Sequence, residues 1–283
     1  PRPRQALAPE QTVKIRGKAR AQLSVDERQE LISVAHELAD AARGATLAHF
    51  RTLGLTAETK ETQRFDPVTV ADRLSEERMR DILARRRPQD AILGEEYGAQ
   101  PGTSGLTWVL DPIDGTRSYL CGTPTWGVLI SVADATGPVY GLIDQPYIGE
   151  RFEGGFGVAR MVGPHWTRPL QVRPARPLAE CIIMSTFPEV GTAEEGAAFH
   201  RLAAQCRLTR YGTDCYAYAL LAAGHIDLVV EAGLQPYDVQ APIAVIEAAG
   251  GVMTGWTGAP AHQGGRVLAA SSPEVHAAAL VAL

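Results

Sequence analysis

Two aspartates close the apolar run "WVLDPIDGT", residues 108–116, with a proline directly after the first and a glycine and threonine directly after the second. A strand that only has to fold gains little from this arrangement. Read as chemistry, Trp108 to Leu110 form a buried strand that delivers Asp111 to its end. Pro112, with no N–H and a fixed φ, is expected to stop the ladder there and free the Ile113 carbonyl, and Asp114 returns a second carboxylate to the same locality. Gly115 and Thr116 lead into a short helix over 116–121, whose first N–H groups lack internal partners. A helix N-terminus attracts an anion such as phosphate, whereas paired carboxylates repel one. Hard divalent cations reconcile the two, because Mg²⁺ takes carboxylate and carbonyl oxygens while holding phosphate oxygens. The plainer alternative is an Asp-Gly turn at a strand end.

Three further places bear on the choice. Glu95 and Glu96 follow a short apolar strand, where packing gives no reason for two adjacent acids, although an exposed turn accommodates them. Asp72 lies in the first turn of a helix, a position that also suits a carboxylate beside the helix dipole. Asp238, after Tyr237, opens an apolar helix and equally fits a plain N-cap. Together, acids at strand ends and helix starts, with no histidine or cysteine cluster, suit an oxygen-ligand metal site. The seven histidines and four cysteines show no metal-binding or C-x-x-C spacing.

The elements that must position these acids are read from periodicity. Residues 23–50 form a long amphipathic helix with a capping box at Ser24 and Glu27 and with Leu31, Val34, Leu38, Ala41 and Ala45 at helical spacing. A second helix follows Thr69 as N-cap and ends before Pro88. Residues 126–155 read as a β-meander broken at 135–138 and near Gly149, with Asp144 inside one of its strands and expected to make a turn or interface contact. From about residue 178, strands at "CIIMSTF", "LTRYG", "IDLVVEAG" and "GGVMTG" alternate with helices near 193–205, 213–223 and 238–249, the last with Pro242 in its first turns. The expected organisation is an α+β lobe over 23–175 carrying most of the acids and an α/β lobe over 176–283, with a junction near 170–180.

With 283 residues, 45% of them hydrophobic and 21% charged, the chain can fill one large domain or two packed lobes. A formal charge of -5 gives no global pull toward nucleic acid. No apolar run nears the ~20 residues of a membrane span, and no apolar segment near the start supports a secretory signal. Residues 1–22 set Arg2, Arg4, Lys14, Arg16, Lys18 and Arg20 against Glu10 alone. They read as a flexible basic tail, with organellar targeting or a nucleic-acid arm left open. The cysteines read as reduced, in keeping with the cytoplasm.

The set Asp66-Pro-Val-Thr-x-x-Asp72, Gly94-Glu-Glu96, Asp111-Pro-Ile-Asp-Gly-Thr116 and Tyr237-Asp238 with Glu247-Ala-Ala-Gly-Gly251 resembles the inositol monophosphatase family of metal-dependent, lithium-sensitive phosphatases. The resemblance covers nearly everything after residue 24. It implies a layered αβαβα sandwich of the inositol monophosphatase/fructose-1,6-bisphosphatase type, a homodimer, and two to three Mg²⁺ per active site. Carried over by position, it implies a first metal on Glu95, Asp111 and the carbonyl of Ile113. A second is bridged by Asp111 and held by Asp114 and Asp238, and a third, weaker one involves Glu95 and water. Thr116, with Asp72 behind it, would orient and deprotonate the attacking water, Glu96 would support the site, and the N–H groups of Gly115 and Thr116 would hold the phosphate. Phosphomonoester hydrolysis needs these functions: an in-line water, neutralised phosphate oxygens and a stabilised leaving oxygen.

Within that family, "PTWGVLISV", "GLIDQPYIGERF" and "RYGTDCYAYALLAAGHIDLVVEAGLQPYDV" are similar to the histidinol-phosphate phosphatase branch, which acts in histidine biosynthesis. Segments matching Gly212-Thr213-Asp214 and Glu231 line the leaving-group pocket in the family. Two carboxylates, Asp214 and Glu231, suit the ammonium of histidinol better than neutral inositol. Asp214 also fits the N-cap of the helix that follows it. Tyr216 and Tyr218 read as core or interface residues, and His225 as structural. An inositol-1-phosphate or broad sugar-phosphate phosphatase stays open, as does a regulatory protein- or RNA-binding member, for which the basic tail is the only feature.

Overall fold

The computed structural model describes residues 23–59 and 67–283; the basic segment 1–22 and Asp66 lie outside the described residues. α1 (Val25–Leu47) opens on the expected capping box, with Ser24 Oγ accepting from the Glu27 N–H and the Glu27 carboxylate accepting from the Ser24 N–H. Its Leu31, Val34, Leu38 and Ala45 are buried. β1 (Glu58–Thr59) pairs antiparallel with β2 (Pro67–Val68), and α2 (Val70–Arg86) follows a capping box of Thr69 and Asp72.

The next strands are β3 (Ala91–Gly94), β4 (Gly98–Gln100) and β5 (Thr107–Asp114), after which comes the five-residue α3 (Thr116–Leu120). The meander then runs through β6 (Gly127–Asp134), β7 (Gly137–Gln145), β8 (Glu150–Gly155), β9 (Val158–Gly163) and β10 (Trp166–Pro169). These eight strands form one sheet in the order β10-β9-β8-β7-β6-β5-β3-β4, antiparallel except where β3 meets β5. The second half runs β11 (Ile182–Ser185), α4 (Ala193–Ala203), β12 (Leu208–Tyr211), α5 (Asp214–Ala222), β13 (Leu228–Leu234), α6 (Pro236–Ala248), β14 (Val252–Gly255), β15 (Gly265–Ala270) and α7 (Pro273–Ala282). Its sheet has the order β12-β11-β13-β15-β14. The strand–helix alternation read from the sequence stopped at β14; β15 fills the place between β13 and β14.

Alternation along β6 explains the stacking. Val128, Ile130 and Val132 join the apolar cluster of α1 and α2, while Leu129 joins that of α5 and α6. α6 lies very close to the sheet because two strand positions are glycine: a Cβ on Gly141 would fall 2.4 Å from the Ala241 carbonyl oxygen, and one on Gly154 2.6 Å from that of Ala244. Beyond the second sheet, Phe199, Leu202, Val275 and Ala279 of α4 and α7 pack on Ile183, Leu228, Val230 and Leu268. The result is an αβαβα sandwich. Segments 23–175 and 176–283 supply one of the two large sheets each, yet a single apolar cluster joins Leu129, Ile143 and Phe152 to Cys215, Val239 and Ile246.

Two expectations are corrected here. α6 starts at Pro236, where Gln235 and Asp238 form its capping box, so Pro242 is a buried residue of the helix interior rather than of its first turns. Asp144 is neither in a turn nor at an interface. It is fully buried in the middle of the first sheet, where it accepts from Arg43 of α1 at 2.7 and 2.9 Å and from Arg151 of β8 at 2.7 Å.

Candidate active site

β3 and β5 run parallel and in register, Gly94 opposite Leu110, so both deliver their acids to the same edge. The Glu95 N–H donates to the Leu110 carbonyl at 3.2 Å, and the Glu95 carboxyl hydrogen-bonds that of Asp111. Contrary to expectation, Pro112 does not end β5. Asp111 pairs with Leu129 and Asp114 with Gly127, so the three-residue step on β5 faces a two-residue step on β6. This is a bulge, the place in a sheet where a missing N–H does least harm. The Asp111 carboxylate accepts from the Ile113 N–H at 3.0 Å, which fixes the bulge from inside. α6 brings Asp238 to the same place while its carboxylate caps the Gln235 N–H at 2.7 Å. One oxygen from each of Asp111, Asp114 and Asp238 lies within 4.8 Å of the others.

Thr116 Oγ1 lies 3.1 Å from the Ile113 carbonyl and 3.4 Å from Asp72 Oδ1. The other oxygen of Asp72 accepts from the Thr69 N–H at 2.8 Å and the Thr69 hydroxyl at 2.6 Å. Asp72 is therefore a helix cap and a site residue at once, and its two oxygens divide the roles. Gly115 has φ +86°, and a Cβ there would lie 2.8 Å from Asp214 Cγ, so glycine is needed twice.

Three contributors escaped the sequence reading. Glu76, fully buried in α2 and paired with Arg80, accepts from the N–H groups of Glu96 at 2.7 Å and Tyr97 at 3.2 Å and so holds the turn after β3. Its one signal is position, one helical turn after Asp72. Ser118 donates to Asp214 Oδ2 at 2.6 Å, and Thr186 donates to Glu231 Oε1 at 2.7 Å. Asp214 is not the N-cap of α5. Thr213 holds that position without a side-chain cap, its hydroxyl turned toward Met184 Sδ at 3.5 Å, and Asp214 follows with φ +43°. The Gly212 N–H donates to the Thr186 carbonyl at 3.1 Å, tying this turn to the end of β11. Tyr218 is buried as expected of a core residue, but its hydroxyl has no hydrogen-bond partner among the described residues, and the acids that bear on it are Glu231, Asp114 and Asp238.

The acids disturb one another. Burial, then Glu95, Asp114 and Asp238, push the Asp111 carboxyl well above the usual range. Burial, then Asp214 and Asp238, do the same to Asp114, against the Cys215 N–H, which it accepts at 2.5 Å. Burial raises Asp214 despite Ser118 and Arg117, and burial raises Glu231 to about 8. Converging oxygens that burial and mutual repulsion leave reluctant to ionise form a donor set that fits hard divalent cations, whose charge replaces the missing protons.

The profile of the inositol monophosphatase family matches residues 27–283. The chain is 38% identical over 240 residues to the bifunctional phosphatase IMPL2, chloroplastic, of Arabidopsis thaliana, covering 84% of this chain and 68% of that protein. It is 35% identical over 255 residues to the histidinol-phosphatase of Streptomyces coelicolor, covering 87% and 93%. The solved structure of an inositol monophosphatase from Zymomonas mobilis matches with a TM-score of 0.79 at 36% identity, covering 92% of this chain and 99% of that one.

Proposed function

We propose a substrate on this ground: the chain belongs to the inositol monophosphatase family and is a metal-dependent phosphatase of small phosphate esters. The proposed reaction is hydrolysis of L-histidinol phosphate to L-histidinol and phosphate. The observation that carries it is the pair Asp214 and Glu231, both raised by burial and each held by one hydroxyl, Ser118 and Thr186. An ammonium stabilises two such carboxylates, whereas a neutral polyol does not. Similarity to the histidinol-phosphatase of Streptomyces coelicolor supports the same reading.

In this scheme Glu95, Asp111, the Ile113 carbonyl, Asp114 and Asp238 hold two to three Mg²⁺. When bound, these supply charge neutralisation at the phosphate and a lowered pKa for water. The N–H groups of Gly115 and Thr116 donate to the phosphate. The Thr116 hydroxyl orients the attacking water, and Asp72 Oδ1 takes the proton passed through it. Glu96 supports the site through the turn that Glu76 holds. The reading includes a cytoplasmic homodimer. No helix of the described residues is long and apolar enough to cross a membrane.

Inositol-1-phosphate is the second reading, favoured by the likeness to the Zymomonas mobilis structure. Phosphate release with Mg²⁺ from L-histidinol phosphate and from inositol-1-phosphate, at equal concentrations, separates them. Preference for histidinol phosphate is the expected result. Preference for inositol phosphate would discard the pocket argument, and turnover of neither, with metal bound, would favour a regulatory role.

A further inference from the structure

Trp108, Trp126, Tyr119, Tyr140, Phe152 and Phe199 are buried, whereas Phe187, just past the end of β11, is 37% exposed, one of a few exposed aromatic side chains with Tyr97, Tyr147 and Tyr211. Two neighbours of Phe187 adjoin the proposed pocket. Thr186, immediately before it, donates to Glu231 and accepts from the Gly212 N–H. From α3, Arg117 sets its guanidinium carbon 4.9 Å from the Phe187 ring centroid. Arg117 stands between Thr116 of the phosphate turn and Ser118, which donates to Asp214. A cation over an aromatic ring fixes the ring without enclosing it.

We propose that Phe187 is a specificity-determining residue, the surface on which a flat aromatic or heteroaromatic group of the leaving alcohol stacks while its ammonium meets Asp214 and Glu231. This rests on reading those two carboxylates as the leaving-group pocket. A π-face beside two acids recognises a cationic heteroaromatic amine; a polyol has neither the flat face nor the charge.

The test is steady-state kinetics of the full chain with Mg²⁺ on L-histidinol phosphate, phenyl phosphate and inositol-1-phosphate, for the unaltered protein, Phe187→Leu and Phe187→Tyr. In Phe187→Leu, the kcat/KM ratio of histidinol phosphate to inositol phosphate is expected to fall about tenfold, through KM, as loss of one aromatic contact implies. Phe187→Tyr should restore the ratio to within about twofold. Equal losses on both substrates, or none, would overturn the proposal while leaving the substrate reading intact. If the unaltered protein does not hydrolyse histidinol phosphate, the substrate reading fails, and the phenyl-to-inositol phosphate ratio decides the role of Phe187 by the same criterion. Phe187→Met serves as the non-aromatic variant if Phe187→Leu does not fold.

Discussion

Two groups of buried carboxylates differ in their neighbours: one meets basic side chains, the other chiefly further acids. Beneath α1, Asp144 meets Arg43 and Arg151, and Glu153 meets His36, Tyr140 and Arg160. Burial works to raise Glu153, but hydrogen bonds from His36, Tyr140 and Arg160 overcome it and bring the carboxyl down to about 2. At the candidate site burial holds up Asp111, Asp114, Asp214 and Glu231, Glu231 at about 8, and neighbouring acids add to the rise in Asp111, Asp114 and Glu231. Residue types and burial are alike; the neighbours differ. The first group is complete within the chain and holds α1 to the sheet. The second sets acids against one another, a donor set that suits cations from outside.

This contrast is open to test, beginning with the largest effect. Asp111→Asn should lower kcat by at least about a thousandfold, because the acid group that would hold the cations loses a charge. Far-UV circular dichroism should stay unchanged, and near-normal turnover would sink the metal assignment. In the other cluster, Asp144→Asn should cost about 3–5 kcal/mol, since removing one partner leaves buried arginine charge uncompensated. Urea unfolding reads that loss, and a stable variant would mean that the two clusters differ less than their partners suggest.

Asp214→Ala should shift the kcat/KM preference from histidinol phosphate toward inositol phosphate by about ten- to a hundredfold, the worth of a charge-assisted hydrogen bond. Steady-state kinetics on both esters measures it. A last test reads stability against pH. Glu231 rises from 4.5 unfolded to about 8 folded, so the folded state binds more protons across that window and loses stability as pH rises through it. Glu153 falls from 4.5 to about 2, so its contribution is present above 4.5 and is lost as pH falls toward 2. Thermal unfolding in EDTA should therefore show a midpoint that declines between about pH 5 and 8, by at most ~1.4 kcal/mol per pH unit per group. Added Mg²⁺ should flatten the decline, and a metal-free midpoint that rises over that range would contradict the reading of the strand-end acids.

Much of this was legible in the sequence because the signals are local. The capping boxes of Ser24 and Glu27 and of Thr69 and Asp72 span three residues, and both form. The acids after β3 and β5 sit at strand ends that short apolar runs announce. The misses share one cause. Pro112 was read by its intrinsic disruption of ladders, and the pairing of β5 with β6 absorbed it as a bulge. The alternative reading of Asp214 as a local cap fails because Thr213 holds that position, and a serine 96 residues away donates to its carboxylate. Asp144 was read from strand position alone, and Arg43, 101 residues away, decides its role.

By itself, then, the sequence determined where carboxylates, glycines and caps fall along the chain, because backbone preferences and side-chain periodicity act over a few residues. Only the tertiary structure decided which carboxylates keep an arginine and which keep one another. Burial and Coulomb energy depend on distance in space, and the partners that set them, Glu76 for the Glu96 turn, Ser118 for Asp214 and Thr186 for Glu231, lie 20, 96 and 45 residues away along the chain.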